Sequence, residues 1–192
     1  MKNSKPLIIV LVVIIGLVLF FNNKINNSSN KTAEVQPLAS PSTSSSLIVG
    51  NTFPDFKVTD VDGKTITRDS LKGKPAIIWF TTSWCVPCQI GAKEKVAPLD
   101  NTLGGSAFNV LVIFVDLSEK DSDLINWRKQ FANPDWMVAF DNNLTNLAKR
   151  AGIRFLDSKF ILDKNGVIKN FDFIQADDSY LNTIRKIVEE NT

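Results

Sequence analysis

Between Pro75 and Thr82 the chain reads PAIIWFTT, an unbroken apolar run of strand length, and SWCVPC follows at once. A strand with no polar side has no face to give to water, so other elements must cover it on both sides. The surrounding pattern supplies them. From Leu47 onward strand-like and helix-like periods alternate, beginning with DFKVTDVDGKTIT, where Asp62-Gly63 between two short alternating runs predicts a hairpin. After the cysteines, Gln89 to Leu103 suits a helix bent at Pro98 and ended by Gly104-Gly105. NVLVIFVD is a second buried strand, and SEKDSDLINWRKQFAN a helix with Leu124, Trp127 and Phe131 on one face. Strand WMVAF, helix NLTNLAKRAG, strand SKFILD, a turn at Lys164-Asn165-Gly166 and strand VIKNFDF follow. A last helix runs from about Asp177 to Glu190, with Leu181, Ile184, Ile187 and Val188 at helical spacing. This order predicts an α/β domain over residues 47–192: a central mixed β-sheet, parallel early and antiparallel at the final hairpin, flanked by helices.

The preceding residues read differently. MKNSKP carries two lysines and is followed by fifteen apolar residues, Leu7 to Phe21. As a helix that run spans about 22 Å, which fits a signal or a short membrane anchor. NNKINNSSNK follows it in place of a small-residue cleavage site, so residues 1–21 are expected to be an uncleaved signal-anchor, with Lys2 and Lys5 cytoplasmic and the remainder exported. Residues 22–46, rich in Asn, Ser, Thr and Pro, read as a flexible linker. The expected location is the cell membrane, single-pass, with the C-terminal domain extracytoplasmic.

Composition narrows the chemistry. The chain has no histidine, which removes the usual general base and the commonest metal ligand. Beyond residue 46 there are 18 basic and 19 acidic residues and no basic stripe, so nucleic acid is not an expected partner. Its two cysteines, Cys85 and Cys88, cannot complete a zinc tetrahedron in one chain, although two chains could pool four thiolates. No metal and no cofactor is expected.

A strand entering a helix through a short turn leaves Cys85 at the helix N-terminus, where unpaired N–H groups and the helix dipole favour a thiolate. Cys88 follows at i+3, which brings the two Cα atoms to about 5–6 Å, within disulfide reach. Pro87 sits in the first turn, where its missing N–H has no partner to lose. As a structural staple the bridge would close too small a loop to restrict the unfolded chain much. A redox pair is the expected reading, Cys85 attacking a partner disulfide and the more buried Cys88 resolving the mixed disulfide.

The stretch VGNTFPDFKVTDVDGKTITRDSLKGKPAIIWFTTSWCVPC, with FILDKNGVI later, resembles the membrane-tethered thioredoxin-like thiol-disulfide reductases of cytochrome c maturation. The resemblance covers about Val49 to Glu190. It implies a thioredoxin fold with an added N-terminal β-hairpin, and dithiol-disulfide exchange with exported cysteine-containing proteins. It also implies Trp84 and Pro87 as supporting residues, and electrons arriving from a transmembrane thiol-disulfide carrier.

Two positions, Asp157 and Gly91, depart from that family, and a third, Trp79, departs from cytosolic thioredoxins. Where it has a cis-proline facing the cysteines, AGIRFLDSKF places Asp157, and no proline occurs after Pro134. A cis bond before a non-proline residue costs about 3–4 kcal/mol, so a trans bond and a differently shaped loop are expected. If Asp157 faces the cysteines, its charge opposes the Cys85 thiolate; otherwise it points to solvent and Ser158 starts the strand. The glutamate that the family carries three residues beyond the second cysteine is Gly91 here; Glu94 is a candidate replacement as proton relay, or else part of a solvated face with Lys93 and Lys95. The buried acid of cytosolic thioredoxins is replaced by Trp79, which leaves the acid-base partner unidentified.

Two alternatives compete with the reductase. Thr82-Ser83-Trp84-Cys85 matches the T-x-x-C of peroxiredoxin-like thiol peroxidases, but Ile78 occupies their proline position. Arg150 or Arg154 would then have to steady the thiolate, and both read more simply as surface residues at a helix end. The other alternative is a catalytically weak thioredoxin-fold binding module.

Overall fold

The computed structural model describes residues 48–141 and 146–191, so the expected anchor and the whole of the expected linker lie outside the described residues. The element that orders the rest is β3 (Ala76–Thr81), buried at all six positions. It pairs in parallel with β4 (Asn109–Phe114) and antiparallel with β6 (Ser158–Leu162). With β5 (Met137–Phe140) beyond β4 and β7 (Ile168–Asp172) beyond β6, the sheet order is β5-β4-β3-β6-β7. This is the expected mixed sheet, parallel on one side of β3 and antiparallel on the other.

Strand alternation sorts the core into two layers. Ile77 and Trp79 face a cluster with the cysteines, Leu124, Trp127 and Ile184, whereas Ile78 and Phe80 face one with Phe53, Phe56, Val58 and Ile66. The first layer is closed by the redox helix, by α3 (Asp121–Phe131) and by α5 (Asp178–Glu189). The second is closed by the N-terminal segment and the short α4 (Leu147–Arg150).

The hairpin forms as expected, β1 (Lys57–Thr59) against β2 (Thr65–Thr67), but as a separate two-stranded sheet. Asp60 shapes its turn by accepting the Asp62 and Lys64 amides, and Gly63 takes φ +81°. The Val61 amide reaches the Val138 carbonyl, and Asp62 receives both guanidinium nitrogens of Arg128 at 2.6 and 2.8 Å, so the hairpin is fastened to β5 and α3.

The helix after the cysteines begins earlier than expected. It opens as α1 (Val86–Ile90), widens into a π-helical segment (Gly91–Val96) and continues as α2 (Ala97–Thr102). The irregularity therefore precedes Pro98 rather than sitting at it. Pro98 has no N–H to donate and its ring crowds the carbonyl one turn back, and the Ala97 amide reaches five residues back to Ala92.

Helix α5 starts at an Asp177 N-cap, whose carboxylate accepts the Tyr180 amide at 2.9 Å. Asp177→Ala should lower stability by about 1 kcal/mol in urea denaturation, because a helix-end donor loses its partner. Asp178→Ala, whose side chain is 86% exposed in its pair with Lys95, should change it less.

Candidate active site

Strand β3 ends at Thr81, and four residues, Thr82 to Cys85, carry the chain into α1. Cys85 is the N-cap residue and Cys88 lies one turn in; their sulfurs are bonded and their Cα atoms stand 5.3 Å apart. Cys88 is fully buried and Cys85 is 6% exposed, so the sulfur nearer to solvent is the one at the helix end. Pro87 occupies the first turn of α1, as the spacing implied. Trp84 and Val86, on either side of Cys85, are exposed.

The turn is held by groups that motif spacing did not reveal. The Ser83 amide donates to Glu119 Oε1, the Ser83 carbonyl accepts from Gln89 Nε2, and the Trp84 indole donates to Asp116 Oδ2 at 3.0 Å. Asp116 and Glu119 sit in the loop after β4, which parallel pairing sets beside the end of β3. The Ser118 amide and hydroxyl, and then Trp84, hold the Asp116 carboxyl below its ordinary range. A carboxylate three residues apart from another in VDLSEK carries no signature by itself, so only the sheet order brings them into view.

On the other side of β3, Asp157 precedes β6 in a trans peptide with φ +67°. It is buried, which rules out the solvent-facing alternative, while Ser158 does begin the strand. The Asp157 amide bonds the Phe80 carbonyl, and its Oδ1 accepts from Trp79 Nε1 and from Lys159 Nζ, each at 2.8 Å. Burial pushes the Asp157 carboxyl up, against the opposing pull of Lys159 and Trp79. It likewise pushes the Lys159 ammonium down, against the pull of Asp157. Trp79, expected as a merely apolar replacement for an acid, is thus a hydrogen-bond donor to one.

Lys159 was missed, and a signal for it existed. In SKFIL it shares a strand face with Ile161, a core position, so a lysine there must bury its charge or break the strand pattern. Glu94 is exposed on the π-helical segment, so it sits on the solvated face rather than in a relay. Arg150 ends α4 and donates to the Asp55 carbonyl at 2.7 Å, and Arg154 is exposed; neither reads as a thiolate partner. Among the described residues no cluster of His, Cys, Asp or Glu has the makings of a metal site.

A family model described as the AhpC/TSA family matches residues 49–171. The thiol:disulfide interchange protein DsbE of Pseudomonas fluorescens biotype C is 27% identical over 144 residues, covering 74% of this chain and 72% of that protein. The thiol-disulfide oxidoreductase ResA of Bacillus thuringiensis subsp. konkukian is 33% identical over 122 residues, covering 62% of this chain and 66% of that one. In three dimensions, the thioredoxin domain of a thiol-disulfide oxidoreductase from Bacteroides vulgatus matches with a TM-score of 0.64 at 18% identity, over 74% of this chain and 99% of that one. At that identity the likeness is one of fold, and the fold is thioredoxin-like with an extra two-stranded sheet.

Gly91 faces Trp79. A Cβ at position 91 would lie 3.4 Å from the Trp79 ring and 3.6 Å from the Ala176 Cβ, which is ordinary contact for a methyl and leaves no room for more. Its φ of −57° is helical, so glycine is not required by the backbone. Gly91→Ala should therefore fold normally and be neutral or stabilising by up to about 1 kcal/mol. Gly91→Glu should destabilise by about 1–3 kcal/mol through overpacking, and comparing the two urea midpoints checks this.

Proposed function

The chain belongs to the AhpC/TSA family and is a thiol-disulfide oxidoreductase, and we propose that it works outside the cytoplasm as a membrane-anchored reductase of exported cysteine-containing proteins. The observation that carries this reading is the bonded Cys85–Cys88 pair at a strand-to-helix turn, with Cys85 at the rim and Cys88 enclosed. In the reduced protein, the Cys85 thiolate attacks one sulfur of a partner disulfide and expels the other as a thiolate. Cys88, having given up its proton, then attacks Cys85 Sγ, forming the Cys85–Cys88 bond and releasing the partner's second sulfur. Two electrons pass to the partner, and the chain's dithiol is restored by a dithiol donor, proposed to be a transmembrane thiol-disulfide carrier.

Partner proteins rather than small thiols suit the surface around Cys85. Trp84 is 60% exposed with its indole pinned by Asp116, so a rigid aromatic stands beside the attacking sulfur. Phe155, two residues before Asp157, stacks on Phe173 at 5.4 Å, and both rings are half exposed or more. Exposed aromatic surface, with Trp84 adjoining the redox cysteine, supports docking of polypeptide.

A thiol peroxidase is the second reading. In its favour stands Thr82, three residues before Cys85, whose buried hydroxyl has no hydrogen-bond partner among the described residues. Against it stand Ile78 in the peroxidase proline position and Arg150, which donates to the Asp55 carbonyl.

Insulin reduction by dithiothreitol, followed by turbidity, should accelerate with the parent and fall to the uncatalysed rate with Cys85→Ser. Cys88→Ser should accumulate mixed disulfides with partner proteins in cells, recovered under non-reducing conditions. No acceleration and no covalent adduct would leave a binding module, and rapid peroxide-dependent oxidation of Cys85 would favour the peroxidase.

A further inference from the structure

Lys159 lies in the middle of β6, opposite Trp79 in the antiparallel register, and its side chain is wholly buried. Its ammonium is fully satisfied: it donates to the Asp157 carbonyl at 2.6 Å, to Asp157 Oδ1 at 2.8 Å and to the Ile174 carbonyl at 2.6 Å. The Trp79 and Tyr180 rings lie 5.2 and 5.6 Å from it. The carboxylate is not satisfied in the same way. Asp157 Oδ1 takes two donors, but Oδ2 is buried with no hydrogen-bond partner among the described residues. The residue bearing it also adopts a left-handed φ, which a non-glycine residue seldom does. Three unfavourable features thus meet at one residue: a charge taken from water, an acceptor left open and a strained backbone. Such a buried pair contributes little to stability compared with apolar residues of the same volume, so a functional reason is in order.

Its place supplies the reason. Phe80, whose carbonyl holds the Asp157 amide, lies five residues before Cys85. The Trp79 ring faces Gly91, one turn beyond Cys88, and would lie 3.4 Å from a Cβ there, while its Nε1 holds Asp157. One side chain therefore spans from the redox helix to the ion pair, and Trp79, Cys85, Cys88 and Tyr180 share a single buried cluster. The other titratable groups acting on the pair are Asp172 of β7, which acts on both partners, and the Tyr180 phenol of α5, which burial and the Asp172 and Asp157 charges keep protonated. Burial also moves each member of the pair toward its neutral form.

We propose that Asp157 and Lys159 are the internal charge balance of the redox centre: when Cys85–Cys88 is reduced, Asp157 Oδ2 takes up a proton in answer to the new thiolate, with Trp79 as the positioning residue that holds the carboxylate. The proposal rests on the thiol-disulfide oxidoreductase reading. Reduction by a partner dithiol breaks the Cys85–Cys88 bond and forms the partner's disulfide. Of the two protons leaving the partner, one goes to Cys88 and one to Asp157, while Cys85 remains a thiolate, so atoms and charge balance. Resolution runs in reverse, Asp157 releasing its proton as the enclosed disulfide re-forms.

The first test needs no change to the redox helix. In the full chain labelled with 13C and 15N, the Asp157 carboxyl resonance, assigned through its bonded correlations to the Asp157 backbone, should titrate about 1 pH unit higher in the reduced protein than in the oxidised one. Equal midpoints in the two states overturn the proposal. The second test follows the pH dependence of Cys85 alkylation by iodoacetamide. Asp157→Asn should lower the thiol's midpoint, Lys159→Met should raise it, and Asp157→Asn with Lys159→Met should return it toward the parent. Shifts of one sign in both single variants, or none in folded variants, would show that the pair is only structural. Should the variants fail to fold, the parent's two carboxyl titrations decide. Insulin reduction run alongside separates the layers: an active parent with an immobile Asp157 midpoint overturns the charge balance, and an inactive parent whose midpoint moves overturns the activity.

Discussion

Strand β3 has no side that meets water, and the rest of the domain follows from covering it. Its two faces demand two layers, and its two edges demand partners, because a buried edge leaves unpaired N–H and C=O groups. Parallel β4 and antiparallel β6 meet the second demand. They also do something for the chemistry. A parallel neighbour sets the loop carrying Asp116 and Glu119 beside the end of β3, and an antiparallel neighbour sets the start of β6, with Asp157 and Lys159, beside the same end. Cys85 therefore emerges between two loops that come from distant parts of the sequence.

The two departures from the apparent family, Asp157 and Gly91, belong to one set of contacts with Trp79. Trp79 is too large to coexist with a long side chain at position 91, since a bare Cβ there already touches its ring. Its indole N–H, buried in the core, needs an acceptor, which Asp157 provides. A buried carboxylate in turn needs a cation, which Lys159 provides. Each substitution taken singly reads as loss of a functional group, and taken together they form a closed set of contacts. A small residue at 91 suits tryptophan at 79.

Much of this was legible without coordinates, for identifiable reasons. Elements whose evidence is local came through: the hairpin at Asp62-Gly63, the two buried strands, the amphipathic last helix and the Cys85–Cys88 spacing. What was not local was lost. Pro98 suggested a bend in place, whereas the helix absorbed it upstream as a π-helical segment. Asp157 could be placed in a loop but not turned inward, because the direction of a side chain at a left-handed residue depends on what receives it. Lys159 was hidden by its type, since lysine is read as surface until a strand partner such as Trp79 shows which face it shares.

The field at Cys85 is set by opposing contributions. The helix N-terminus favours a thiolate, while Asp116 and Glu119, which fix the turn through Trp84 and Ser83, bring two carboxylates near it. Their structural service thus has an electrostatic cost at the sulfur, greater in the reduced state than in the disulfide. For an attacking thiol that cost is not simply a loss, because nucleophilicity falls as the thiol pKa falls and is best used when that pKa lies near ambient pH. A helix end alone drives a thiol toward a weakly nucleophilic, permanently ionised sulfur, and nearby carboxylates draw it back. The neutral Asp157–Lys159 pair behind Trp79 adds no net charge to this balance while the disulfide is closed, which is why its proton, rather than its presence, is the quantity that matters on reduction.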